Sequence, residues 1–192
     1  MSAETRLTLL ARVKNQHDEK AWQEFEGIYS VYLKIVFNYL KIDKTDIEDL
    51  VQETLVHLWE KLPSFNYDLE KGRFRGWLRR VASNKAMNMI SKRQNRSKLL
   101  KEKYISPDSI SSDIEKSCEA EWQQFLAKKA WQRIKGQFSE QAEICFMKMA
   151  SGESSVDLAA EMGIPENTIR VNKRRVEKRL NKEVRYLIEE YS

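Results

Sequence analysis

Large apolar residues recur at three- and four-residue steps through the amino-terminal half of the chain. The longest series is Trp22, Phe25, Ile28, Tyr29, Tyr32, Leu33 and Val36. Residues at these intervals share one face of an α-helix, so such a helix can bury that face and leave the other in water. The 192 residues contain only 3 Pro and 6 Gly, which leaves little material for tight turns. The sequence therefore predicts an all-α fold.

The periodicity fails in the middle of the chain, where the composition changes. This stretch contains the Ser-rich sequence ISPDSISSD, whose few apolar residues are typical of a linker. Helical spacing returns with Trp122 and Phe125. We therefore predict a helical domain over residues 1–95, a flexible linker over 96–121 and a second small helical domain over 122–192.

The net charge of +5 is distributed unevenly. Residues 73–103 hold 11 basic side chains and one acidic one, and residues 166–185 hold 8 basic and three acidic ones. Two separated basic blocks predict two contact sites for a polyanion. A cytoplasmic protein is expected, because no long apolar run or signal peptide is evident and two distant cysteines, Cys118 and Cys145, suggest reduced thiols.

The carboxy-terminal sequence SSVDLAAEMGIPENTIRVNKRRVEKRL predicts a helix-turn-helix. Gly163 can take the left-handed conformation that ends a helix, and Pro165 fits the first turn of the next one. That helix is expected to bury Ile169, Val176 and Leu180. Its basic residues would repel one another on a merely solvated surface, which favours duplex DNA as the partner. The candidate DNA-reading residues are Thr168, Arg170, Val171, Lys173, Arg174 and Arg175.

A second basic helix, predicted from Arg75 to about Lys92, follows a loop that contains Phe65, Tyr67 and Phe74. Basic side chains beside exposed rings suit single-stranded DNA, because phosphates are neutralised and unpaired bases can stack. The alternative is that the rings form a small core under the loop, which we favour for Phe74. The candidate DNA-binding residues are Asn66, Tyr67, Arg73, Arg79, Arg80, Asn84, Lys85, Asn88 and Lys92.

The helix DIEDLVQETLVHLWEKL precedes that loop, and Asp46 is its expected cap. Asp49, Gln52 and Glu53 fall at i, i+3 and i+4 and so form one polar patch. An anionic patch is a poor contact for DNA and predicts a protein-docking site. An ordinary solvated helix face is the alternative.

The sequence DLVQETLVHLWEKL, followed by FNYDLEKGRFRGWLRRVASNKAMNMISKR, resembles region two of the extracytoplasmic-function (ECF) sigma factors of bacterial RNA polymerase. The Ser-rich linker and the terminal helix-turn-helix are similar to the linker and region four of that family. The resemblance implies two helical domains and a promoter-specificity subunit that binds core RNA polymerase. It implies no enzymatic activity, no cofactor and no metal.

The resemblance also implies a role for each candidate site. Asp49, Gln52, Glu53 and Trp59 would bind the coiled coil of the polymerase β′ clamp, with the β flap as a second contact. The loop from Ser64 to Phe74 would hold a base flipped from the minus-ten element, and the basic helix after it would help to separate the strands. The helix-turn-helix would read the minus-thirty-five element. An anti-sigma factor is a further implied partner.

Two other functions compete with this one. A stand-alone two-domain helix-turn-helix regulator would bind duplex DNA without polymerase. A DNA-processing enzyme would need a placed nucleophile or a carboxylate metal cluster, whereas His17 and His57 stand alone in the sequence.

Overall fold

The computed structural model describes residues 8–65, 74–96 and 112–191, and these ranges contain helices and no strand. The helices are α1 (Leu9–Arg12), α2 (Glu19–Tyr39), α3 (Lys44–Lys61), α4 (Phe74–Arg96), α5 (Ser112–Ile134), α6 (Glu140–Ala150), α7 (Ser155–Met162) and α8 (Glu166–Glu190), with a 3₁₀ turn at Leu62–Ser64. One compact unit extends to Trp122 and includes Glu190 and Tyr191; the other is Gln123–Glu189. The predicted all-α class with two helical units is confirmed.

Short polar side chains begin several of these helices by accepting a hydrogen bond from the first turn. Asp18 accepts from the Ala21 amide at 2.9 Å, and Ser154 accepts from the amide of Asp157 at 3.1 Å. A cap of this kind contributes about 1 kcal/mol. The expectation that Asp46 caps α3 is wrong, because the side chain of Asp43 accepts from the Thr45 amide instead.

Helices α2, α3 and α4 pack against one another and form the core of the first unit. Aromatic rings fill its centre: the ring of Tyr29 stacks on Trp122 at 6.0 Å and meets Phe74 edge-on at 5.3 Å. Leu58 of α3 and Leu78 of α4 are both fully buried. Burying a side chain of this size stabilises the fold by roughly 1.5–3 kcal/mol, so these residues fix the faces that α3 and α4 expose.

The second unit has a smaller core, centred on Cys145 of α6, Leu158 of α7 and Ile169 of α8. Met149, Ala159, Met162 and Ile164 pack around it. Small and flexible side chains let the short helices approach closely. The predicted buried stripe of α8 is confirmed at Ile169 and Val176, whereas Leu180 is only half-buried.

The linker prediction needs a correction at its carboxy-terminal end. Residues 97–111 lie outside the described ranges, but residues 112–121 form the first turns of helix α5. Of residues 113–122, only Cys118 and Trp122 are deeply buried, one turn apart. So sparse an apolar pattern gives little periodicity to detect, which explains the error. The predicted domain boundaries themselves stay predictions.

Candidate nucleic-acid and protein interfaces

The residues predicted to contact polymerase lie on one exposed face of α3. Asp49, Gln52 and Glu53 are exposed, and Trp59 is 44% exposed. Val56, which is not among the predicted residues, is 57% exposed and lies three residues after Glu53 and four after Gln52. Helical periodicity alone could have identified it. The α3 patch, defined as these five residues, therefore combines carboxylates with exposed apolar side chains.

Helix α4 carries four exposed polar residues at four-residue steps, which align them along one face. Charged residues begin and end the row, and amides lie between them. Lys85, another predicted residue on this helix, is half-buried and lies beside this row. The α4 stripe consists of Arg80, Asn84, Asn88 and Lys92.

Arg79 does not belong to this stripe, although it was predicted to bind DNA. Its side chain is only 15% exposed, and its Nη2 lies 2.6 Å from Oε1 of Glu115 on helix α5. Burial by itself would lower the pKa of Arg79, but the hydrogen bond with Glu115 raises the pKa overall, so the side chain stays charged. The guanidinium is therefore largely covered and already has an anionic partner.

The aromatic residues around the predicted base-capturing loop form a small core at its two ends. The ring of Phe65 lies 4.3 Å from Trp77 and 6.0 Å from Phe74, and Phe74 is fully buried. The alternative of a packed core is therefore correct for Phe74. Asn66, Tyr67 and Arg73 lie outside the described residues, and their predicted contacts are not tested.

The carboxy-terminal unit contains the predicted helix-turn-helix. Gly163 ends α7 with φ of 64°, the left-handed conformation expected from the sequence. Pro165 lies just before α8, which begins at Glu166. Ile169 and Val176 anchor α8 in the core, so the residues on the opposite face are exposed. The exposed candidates are Arg170, Val171, Arg174 and Arg175.

Thr168 and Lys173 lie at the edge of this face instead. Both are half-buried. Lys173 lies four residues after the buried Ile169 and three before the buried Val176, which places it beside the buried stripe of the helix. The Lys173 ammonium is also 2.9 Å from the Glu177 carboxylate. The structure therefore supports the predicted DNA contact of Lys173 less than it supports those of the exposed arginines.

The expectation that the basic residues of α8 repel one another is wrong for two of them. Arg170 pairs with Glu166 at 2.6 Å, and Lys173 pairs with Glu177, each four residues apart. Arg174 forms no ion pair with any described residue, so its guanidinium is open to an external partner. The charge argument for DNA binding thus rests on fewer residues than the sequence indicated.

Glu166 joins the two helices of the motif. Its Oε1 accepts a hydrogen bond from the Ser155 hydroxyl, at the start of α7, at 2.5 Å and another from Nη2 of Arg170 at 2.6 Å. The hydrogen bond from Ser155, and then that from Arg170, lower the pKa of Glu166. The carboxylate therefore holds Arg170 in place on the exposed face.

Residues 27–96 match the family model of Sigma-70 region 2, and this span covers most of α2 together with α3 and α4. RNA polymerase sigma factor NccH of Alcaligenes xylosoxydans xylosoxydans is 30% identical over 105 residues, which are 55% of this chain and 55% of NccH. The chain is similar to RNA polymerase sigma factors, and its residues 27–96 match their region 2. The resemblance to the ECF group predicted from the motifs is confirmed.

Two further matches extend over more of the chain. RNA polymerase sigma factor CnrH of Cupriavidus metallidurans is 23% identical over 168 residues, 85% of this chain and 86% of CnrH. A solved structure of CnrH in complex with the cytosolic domain of CnrY aligns with 96% of this chain and 97% of that one, with 18% identity and a TM-score of 0.37. The match to NccH spans only about half of that relative.

Neither a metal centre nor a membrane span is found in the ranges that the structure describes. No group of His, Cys, Asp and Glu there is placed to hold a metal ion. None of the helices in those ranges is long and apolar enough to cross a membrane.

Proposed function

We propose that the chain is a sigma factor that binds core RNA polymerase and directs promoter-specific transcription initiation. The observation that carries the proposal is the match of residues 27–96 to Sigma-70 region 2, on a helical bundle with an anionic–apolar face and a basic face. The two faces suit different partners, since one resembles a protein interface and the other attracts phosphate.

The α3 patch is the proposed contact for the β′ clamp of polymerase. Protein interfaces gain most of their binding energy from a few apolar and aromatic side chains surrounded by polar groups. Val56 and Trp59 supply the exposed apolar surface, while Asp49 and Glu53 supply negative charge that would steer a basic partner.

The α4 stripe is the proposed contact for the minus-ten element. Arg80 and Lys92 can neutralise phosphates, and the amides of Asn84 and Asn88 can hydrogen-bond both base edges and backbone oxygens. The loop before α4 is the proposed site for a flipped base. Its ends are braced by the packed rings of Phe65 and Phe74, which fixes where the loop leaves the bundle.

The exposed face of α8 is the proposed contact for the minus-thirty-five element. A helix held by a buried stripe can enter the major groove, where arginine donates two hydrogen bonds to a guanine edge. Arg174 is the strongest candidate, because it is exposed and forms no ion pair with a described residue. The exposed side chains of Ile144 and Met147 on α6 offer an apolar contact for the β flap.

No catalytic group is needed for strand opening in this proposal. Capturing an unstacked base favours the open strand by the difference in binding free energy between open and closed DNA. An anti-sigma factor that covers these surfaces is a further proposed partner, implied by the family resemblance.

Co-elution with core polymerase on gel filtration tests the polymerase contact. Glu53→Lys should weaken co-elution, because the reversal places a positive charge in the α3 patch. Asp113→Lys is the matched control: Asp113 is an acidic residue of α5 with an 87% exposed side chain, outside the patch. Loss of co-elution in both variants, or in neither, would contradict the assignment of this face.

A further inference from the structure

The first turns of α5 are packed firmly onto the region 2 bundle, although the sequence predicted a linker there. Trp122 and Cys118 are fully buried, and the Trp122 ring stacks on Tyr29 and meets Tyr32 edge-on at 5.5 Å. Contacts of this extent fix the position of the segment on the bundle. The side chains around them are therefore held in definite places.

Acidic residues of this segment hold the arginines at the start of α4. Glu119 forms a two-point pair with Arg75, at 2.9 Å from Nη2 and 3.4 Å from Nε. One turn away, the Glu115 carboxylate lies 2.6 Å from Nη2 of Arg79. We define the α5 acidic segment as residues 113–121, which contain four acidic side chains and one lysine.

The two pairs differ in how easily they can open. The Arg75 side chain is only 5% exposed and also lies over the Trp122 ring at 5.5 Å, so this pair is part of the core. The Glu115 side chain is 56% exposed. Water and ions therefore reach the Glu115 carboxylate, and the Arg79 guanidinium can exchange it for another anion at modest cost.

We propose that the α5 acidic segment is an intramolecular competitor for DNA, in which the Glu115 carboxylate occupies Arg79 at the place where a phosphate would bind. The inference rests on the proposed function, in which α4 binds the minus-ten element. The α4 stripe remains exposed, so DNA first contacts the stripe and then displaces Glu115 to recruit Arg79. The competitor lowers affinity for nonspecific DNA without blocking it.

Fluorescence anisotropy of the full chain with a labelled, mixed-sequence single-stranded oligonucleotide tests this directly. Glu115→Gln should tighten binding about two- to fivefold. This is the loss of affinity expected when DNA must first break a partly exposed ion pair, as it must in the wild type. The slope of log affinity against log salt should stay close to that of the wild type, because Arg79 neutralises a phosphate in the bound state of both proteins. Asp113→Asn is the matched control and should leave the affinity and the salt slope unchanged. Asp113 belongs to the same acidic segment, but its partner there is Lys116, at 3.8 Å, and not an arginine of α4.

A double variant separates a local effect from a general charge effect. If Glu115 competes for Arg79, Glu115→Gln should no longer tighten binding in an Arg79→Ala background. Tightening that persists there, or equal tightening by Asp113→Asn, would overturn the inference. Melting temperatures of Glu115→Gln and Asp113→Asn that equal the melting temperature of the wild type would show that the fold is intact.

The same assay distinguishes failure of the inference from failure of the proposed function. Arg80→Ala removes an exposed cation of the α4 stripe that the proposed function requires. Weaker binding by Arg80→Ala together with unchanged binding by Glu115→Gln would overturn the competitor alone. Unchanged binding by Arg80→Ala would overturn the DNA contact of α4, and the competitor with it.

Discussion

Replacing Arg174 by alanine should remove a direct promoter contact, whereas replacing Lys173 should not. Arg174 is exposed on α8 and forms no ion pair with a described residue, so its guanidinium is free to bind a base edge. A bidentate contact of arginine with a guanine contributes roughly 1–3 kcal/mol, which corresponds to a loss of about 5- to 150-fold in affinity. Lys173 is half-buried and paired with Glu177, so its loss should cost no more than about 0.5 kcal/mol, or about twofold.

The assay is competition for the assembled polymerase complex between a promoter and the same promoter with a scrambled upstream element. Each substitution removes one positive charge from the same helix, so long-range attraction to DNA changes equally. Any difference between the variants therefore reports a direct contact. Arg174→Ala should reduce the preference for the intact element by about 5- to 150-fold, and Lys173→Ala by no more than about twofold. Equal losses in the two variants would refute the placement of Lys173 at the edge of the reading face.

Three further predictions test the fold and the α3 patch. Gly163→Ala should lower the free energy of unfolding by about 1–2 kcal/mol in denaturant titrations, because an alanine is strained at φ of 64°. Gly27→Ala is the control: Gly27 is exposed in the interior of α2, where alanine favours the helix, so the free energy of unfolding should rise by up to about 1 kcal/mol. Folding lowers the pKa of Glu166, so its carboxylate stabilises the fold at neutral pH and loses this effect as the pH falls through the folded pKa. The difference in melting temperature between the wild type and Glu166→Gln should therefore shrink from about pH 6 to pH 3. Val56→Ser should weaken polymerase binding about fivefold, because the exposed part of the valine side chain would no longer be buried against the polymerase. Val156→Ser, at a comparably exposed site on α7, should not weaken it.

The helical class and the helix-turn-helix could be predicted because both depend on local patterns. Apolar residues at helical steps identify α2, and the left-handed Gly163 follows from the position of a glycine at a helix end. The exposed face of α3 follows from the same periodicity. The exposure of Val56 on α3 and the half-buried position of Lys173 on α8 could also have been predicted from the sequence. Each follows from the residue's spacing from its neighbours on its own helix.

Contacts between residues far apart in sequence could not be predicted in this way. Asp46 looks like a helix cap in its local context, but its carboxylate pairs with Arg93, 47 residues away. Glu115 lies in a Ser-rich stretch typical of a linker, and its structural role depends on Arg79 of another helix. Charge blocks counted along the chain therefore overestimate the positive charge that α4 offers to DNA.

Run-off transcription with core RNA polymerase on a promoter library tests the central claim most directly. If the chain is a sigma factor, core polymerase together with the chain should produce transcripts from a selected subset of promoters that share two spaced elements. Core polymerase alone, or the chain alone, should not select them. Selective binding of duplex DNA by the chain without polymerase, together with no promoter-selective transcripts when polymerase is added, would contradict the claim and favour a stand-alone regulator.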